Sequence, residues 1–183
     1  ISIPTFIEYE NKLKEEQINH YILEESNEFI LIKEDFVRSV INSGSNVAIL
    51  INPNNPSGCV NTKEDIIWIL EKLKGIIVIV DESFIDFTGD REKYSVQHLV
   101  NNYPNLVLLR SISKEFGVPG LRLGYLLTIN ESIKHFMSEY LPIWNINSIA
   151  EYFVDNFCNY YKSYEESINK VLKDRDWLYK KLK

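Results

Sequence analysis

Cysteine is almost absent from this 183-residue chain, and the two that occur, Cys59 and Cys158, show no metal-ligand spacing. They read as two reduced thiols, an expectation that puts the protein in the cytoplasm. Histidine is nearly as scarce: His20, His98 and His135 fall in separate segments with no HxxH or HExxH pattern, so no metal is expected. The longest aliphatic runs, "VAILI" and "IIVIV", are far too short to cross a bilayer, and no basic-then-apolar signal peptide opens the sequence. Positive charge is in deficit, with 20 Lys and Arg against 26 Asp and Glu and a formal charge of -6. That balance argues against nucleic-acid partners and against an acidic membrane surface. Repeats and low-complexity tracts are missing too. What is present, 45% hydrophobic residues with moderate charge, suits a globular chain with one good core and the start of a second domain.

The pattern along the chain alternates. "FIEYENKLKEE" suits a helix opening after Ser2 and Pro4, followed by a short strand over 18–23. "KEDFVRSVINSG" has apolar residues at helical spacing and stops at Gly44. "NVAILIN" is a continuous apolar strand, and "TKEDIIWILEKLKG" begins with Thr62 and Asp65 at capping-box spacing. "IIVIVDES" and "LVLLRSI" are further buried strands with a helix over 95–102 between them, and "LRLGYLLTI" is one more. After Asn130 the chain turns helical, through "ESIKHFMSEYL" and a long segment over 147–183. Apolar strands separated by amphipathic helices predict an α/β fold, a mostly parallel sheet sandwiched by helices. The change near Pro142 divides a core over 1–142 from a helical segment over 143–183 that leads towards a further domain.

In such a sheet, ligands bind at the carboxyl ends of the strands. Strand "VAILI" runs into "NPNNPSG", whose residues form turns but whose Asn52, Asn54 and Asn55 can also donate to a ligand. Strand "IIVIV" ends in "DESFIDF", where Asp81 is expected to be largely buried and to need a cationic or hydrogen-bonding partner. An internal cap or ion pair would also explain it, and Glu82 and Asp86 have weaker claims. Strand "LVLLR" ends in "SISKEFGVPGLR": Ser111, Ser113 and Arg122 suit a phosphate dianion, with Gly117 and Gly120 allowing tight backbone between them. A surface turn is the plain alternative for SxSK alone. Lys114 in this setting is expected to be desolvated, with Arg122 lowering its pKa, and to form a Schiff base with an aldehyde. A phosphate-bearing aldehyde whose ring nitrogen needs a carboxylate is pyridoxal 5'-phosphate.

"NPNNPSG", "DESFIDF" and "SISKEFGVPGLRLGY", in this order and separation, resemble the fold-type-I pyridoxal-phosphate enzymes of the class I/II aminotransferases. The branch is that of histidinol-phosphate aminotransferase and threonine-phosphate decarboxylase, which "PTFIEYE" and "WNINSIAE" also resemble. The resemblance implies that Lys114 holds the cofactor as a Schiff base and then acts as general acid and base at the substrate Cα. It implies that Asp81 keeps the pyridine nitrogen protonated, that Asn55 donates to the phenolic oxygen, and that Ser111, Ser113 and Arg122 hold the phosphate. Phe84 stands where the family commonly has a tyrosine sharing that oxygen, a departure reminiscent of the decarboxylase side. The implied partners are small molecules, an amino acid and a 2-oxo acid, with a homodimer as the intact enzyme. Alternatives are decarboxylation on the same apparatus and a non-catalytic scaffold. A glycine-rich phosphate loop before "PTFIEYE" and a small C-terminal domain belong to the family pattern, so the chain is expected to be the central part of a larger enzyme.

Overall fold

The computed structural model describes residues 1–13 and 18–182. The chain opens with β1 (Ser2–Ile3), α1 (Glu8–Lys12) and β2 (Tyr21–Ile22), and β1 and β2 pair in parallel. The helix expected from "FIEYENKLKEE" is thus short in the described part, and residues 14–17 of that reading lie outside it. Then follow α2 (Lys33–Asn42), β3 (Val47–Ile51), α3 (Lys63–Lys72), β4 (Ile77–Asp81), the one-turn α4 (Arg91–Tyr94) and β5 (Leu106–Ser111). A single turn, α5 (Ile112–Glu115), leads to β6 (Gly124–Leu127), and α6 (Glu131–Tyr140), α7 (Ser148–Asn156) and α8 (Tyr161–Leu182) complete the chain.

The main sheet has the order β3-β4-β5-β6. β3, β4 and β5 are parallel neighbours joined by crossovers, whereas β6 runs antiparallel to β5. Only α5 and a 3-10 turn at Pro119–Leu121 separate β5 from β6, so the chain reverses there instead of crossing over a helix. On one sheet face Ala48, Leu50, Val78, Val80, Leu106 and Leu108 pack with Phe36, Val37 and Val40 of α2 and Ile66, Ile69 and Leu70 of α3. Residues Ile49, Ile51 and Val107, on the other face, are buried as well. Burial on both sides explains why these strands show continuous apolar runs and no alternation.

The capping box of α3 is formed: Thr62 Oγ1 accepts from Asp65 N at 3.2 Å, and Asp65 Oδ2 accepts from Thr62 N at 3.2 Å. The helix expected over 95–102 is instead a 3-10 turn, Gln97–Asn102. Its start is held by Glu82, which accepts from Ser95 Oγ at 2.7 Å and from Val96 N at 2.6 Å, an N–H that no helix would pair internally. The expected long final helix is interrupted by a 3-10 turn at Phe157–Tyr160. Among the described residues no helix is long and apolar enough to cross a membrane.

Glu82 is fully buried, and burial holds its carboxyl above the ordinary 4.5 despite the bonds from Ser95 and Val96. The folded chain therefore keeps this proton more tightly than the unfolded one. The stabilisation is complete below pH 4.5 and is lost as pH rises through the raised value. Glu115 is shifted in the same direction by burial, and its slope adds to that of Glu82. Glu82→Gln keeps an acceptor for Val96 N and should flatten, without abolishing, the fall in stability above pH 4.5, as read by urea unfolding across that range. An unchanged slope would contradict this.

Candidate cofactor site

Each parallel strand ends at the same edge of the sheet, and its last residues are fixed by the ladder itself. Asn52 continues β3 by donating its N–H to the Asp81 carbonyl at 2.8 Å, and Glu82 N does the same to Leu109 O at 2.9 Å. Beyond β3 the three asparagines sort by what they bond. Asn52 closes its own loop, Nδ2 donating to Asn61 O at 3.1 Å and Oδ1 accepting from Asn61 N at 2.8 Å. The buried Asn54 donates to Pro4 O at 3.0 Å and to Ser57 Oγ at 2.8 Å. Both amides are committed to holding the loop. Asn55 is half-buried, has no side-chain hydrogen bond among the described residues, and lines a cleft of about 500 Å³ with Phe84, Phe87 and Tyr94.

Asp81 ends β4 opposite Leu109 and is half-buried, less enclosed than expected. It lies on the face of β4 that carries Ile77 and Ile79, which are half-buried as well. Its Oδ1 accepts from Ser83 N at 2.8 Å and its Oδ2 from the Tyr9 hydroxyl at 2.5 Å. Two bonds leave a carboxylate with room for a further donor. Burial, then the charge of Asp81, pushes the Tyr9 phenol well above its ordinary value, so Tyr9 stays a donor to Asp81. Sequence reasoning missed this contact, although Tyr9 stands within the quoted "PTFIEYE"; its partner lies 72 residues away. Glu82 and Asp86 point elsewhere, into buried contacts with Ser95 and with Arg91, Arg110 and Tyr164.

Past β5, Ser111 caps α5: its N–H donates to Ser83 Oγ at 3.0 Å and its hydroxyl accepts from Ser113 N at 3.3 Å. Ser111, Ser113 and Arg122 line one cleft of about 740 Å³, to which Ser83 also contributes. Arg122 is exposed, sits at φ 54°, and spends one Nη1 contact on Pro119 O at 3.4 Å. Lys114 is exposed as well and makes no hydrogen bond or ion pair among the described residues, so the expected desolvation is not found. The reason is local: α5 is a single turn at the sheet edge, and the lysine leaves it towards an open cleft of about 400 Å³ walled by Phe87, Phe116, Phe157 and Tyr164. The structure thus brings Ser111, Ser113 and Arg122 to one cleft, Asn55 and Phe84 to a second, and Lys114 to a third. Phe87 borders the last two, and Ser83, two residues after Asp81, borders the first.

β6 holds the serine turn from behind. Gly124 pairs with Ser111, and a Cβ on it would lie 2.7 Å from the Arg110 carbonyl oxygen. That distance requires backbone to move. Gly124→Ala should cost about 1–3 kcal/mol of stability in denaturant unfolding and weaken phosphate-ligand binding, because the displaced strand carries Ser111. A fully stable variant would contradict the packing described.

Chemically, the edge offers two hydroxyls and a permanently charged planar fork, which suit a phosphate dianion. It also offers an unengaged primary amine on a flexible stem and a carboxylate with spare acceptor capacity. Those groups fit pyridoxal 5'-phosphate.

The class is visible in solved structures. The histidinol-phosphate aminotransferase from Clostridium acetobutylicum superposes with a TM-score of 0.85 and 33% identity over 99% of this chain and 54% of that one. The fold is therefore that of a pyridoxal-phosphate-dependent transferase core. Residues 1–183 match the family model for aminotransferase class I and II, and the chain belongs to that family, whose cofactor is pyridoxal 5'-phosphate. It is 30% identical to an L-serine phosphate decarboxylase from Campylobacter jejuni, over all of this chain and 48% of that protein. It is 34% identical to a histidinol-phosphate aminotransferase from Clostridium novyi, over 98% of this chain and 49% of that protein. The chain spans about half the length of these relatives.

Proposed function

We propose that this chain is the cofactor-binding core of an enzyme that transfers an amino group between a small, phosphorylated (histidinol-phosphate-like) amino acid and a 2-oxo acid. The observation that carries the reading is that Asp81 ends β4 and the segment bearing Ser111, Ser113 and Lys114 follows at the same edge of its neighbour β5, with Ser111, Ser113 and Arg122 lining one cleft there. The cofactor, when bound, supplies an electron-withdrawing ring that stabilises negative charge at the substrate Cα. Ser111, Ser113 and Arg122 hold its phosphate. Asp81, braced by Tyr9, keeps a proton on its ring nitrogen, and Asn55 donates to its phenolic oxygen. Lys114 binds its aldehyde and then moves the proton at Cα. A homodimeric, cytoplasmic enzyme is part of this reading.

Decarboxylation is the second reading, favoured by Phe84 and by the likeness to an L-serine phosphate decarboxylase. A single-turnover assay with phosphorylated amino acids separates the two. Pyridoxamine phosphate accumulating in step with substrate loss supports amino transfer; carbon dioxide released without it overturns amino transfer in favour of decarboxylation. Phe84→Tyr restores a hydroxyl beside Asn55, whose cleft Phe84 shares. The pH at which the lysine-bound cofactor changes colour is expected to fall in that variant, and an unmoved transition would contradict the role given to this position.

A further inference from the structure

Residues 110 and 115 flank the segment that bears Ser111, Ser113 and Lys114, and they are paired. Arg110 Nη2 donates to Glu115 Oε2 at 3.2 Å, with side chains only 5% and 3% exposed. An ion pair this buried, closing so short a loop, restricts where the two hydroxyls and the amine can go. The same Nη2 donates to Asp86 Oδ1 at 3.2 Å, and Nη1 donates to Gln97 Oε1 at 2.9 Å and to Tyr125 OH at 3.3 Å. Asp86 belongs to the loop that follows Asp81, so Arg110 ties both strand-end loops together.

The ties continue to α8. Asp86 accepts from Arg91 and from the hydroxyl of Tyr164, and Arg91 Nη2 also donates to Tyr164 at 3.2 Å. Tyr164 lies against Phe116, the residue after Glu115, with ring centroids 4.4 Å apart, and Phe157 meets the same ring at 4.6 Å. Further along α8, Arg175 Nη1 donates to Phe87 O at 2.6 Å. The helix therefore rests on the lysine turn through charge beneath it and aromatic rings beside it.

We propose that Arg110 and Glu115 form a staple that positions Ser111, Ser113 and Lys114, and that Tyr164, acting through Asp86, couples the seating of α8 to that staple. These are positioning residues, and the proposal rests on reading this turn as the cofactor site. Its test has two independent readouts. In ligand-free protein, amide hydrogen exchange over 111–116 should quicken about tenfold in Glu115→Ala and about threefold in Glu115→Gln and Tyr164→Phe, with β4 amides unchanged. Binding of pyridoxamine 5'-phosphate, which needs no bond to Lys114, should weaken by similar factors. Because the residues share one network, Tyr164→Phe added to Glu115→Gln should cost clearly less than the product of the two single effects. If Glu115→Ala does not fold, the two conservative variants and their combination carry the test. Unchanged local exchange, or strictly multiplicative losses, would overturn the staple. A wild-type protein that shows the exchange pattern but binds no pyridoxamine phosphate would overturn the cofactor reading while leaving the staple in place.

Discussion

Lys114→Ala is expected to abolish the visible adduct with pyridoxal phosphate and to lower turnover by at least about 10⁴-fold. Two roles are lost together, since the same amine binds the aldehyde and moves the Cα proton, and neither hydroxyl nor guanidinium nearby can replace a primary amine. Stability should hardly change. Lys114 is exposed and makes no hydrogen bond or ion pair among the described residues, so its truncation removes no packing and falls within about 0.5 kcal/mol. The combination is diagnostic: a variant that unfolds at the same denaturant concentration yet has lost colour and turnover. Equal losses of stability and turnover would assign the lysine a structural part instead.

Asp81→Asn is the second large effect, a fall of about 10²–10³ in kcat/KM, the scale of removing one group that stabilises charge in the transition state. The replacement is nearly isosteric and can still accept from Ser83 N, which donates at 2.8 Å in the native protein. What it loses is the negative charge that favours a proton on the cofactor ring. Tyr9→Phe should act in the same direction but more weakly, about fivefold, because it removes one donor and leaves the charge. This gradation separates electrostatics from packing. Should Tyr9→Phe equal Asp81→Asn, the carboxylate would owe its effect to anchoring the Tyr9 segment rather than to its charge.

Much of the architecture was legible locally. Continuous apolar runs marked β3, β4 and β5, and Thr62 with Asp65 marked the start of α3, because burial and capping are set by neighbours in the chain. Features that depend on distant partners were not legible. Nothing in "NPNNPSG" distinguishes the committed Asn54, held by Pro4 from 50 residues away, from the unengaged Asn55. The segment expected as a helix over 95–102 is a 3-10 turn whose start is held by Glu82, 13 residues earlier, a contact the local pattern does not show. The enclosure expected for Asp81 and Lys114 was overstated because an apolar run does not say which strand face is the better covered: Asp81 shares the half-buried face of Ile77 and Ile79, and Lys114 sits exposed on a single turn. Arg110 and Glu115 gave no signal, since an arginine at a strand end reads as solvent-facing until its buried partners are known.

The most direct test of the central claim is reduction of the protein–pyridoxal phosphate mixture with borohydride, followed by peptide mapping. The account predicts a single phosphopyridoxyl group, on Lys114. No stable label, or label on another lysine such as Lys134, which lines the cleft shared by Ser111 and Arg122, would contradict it.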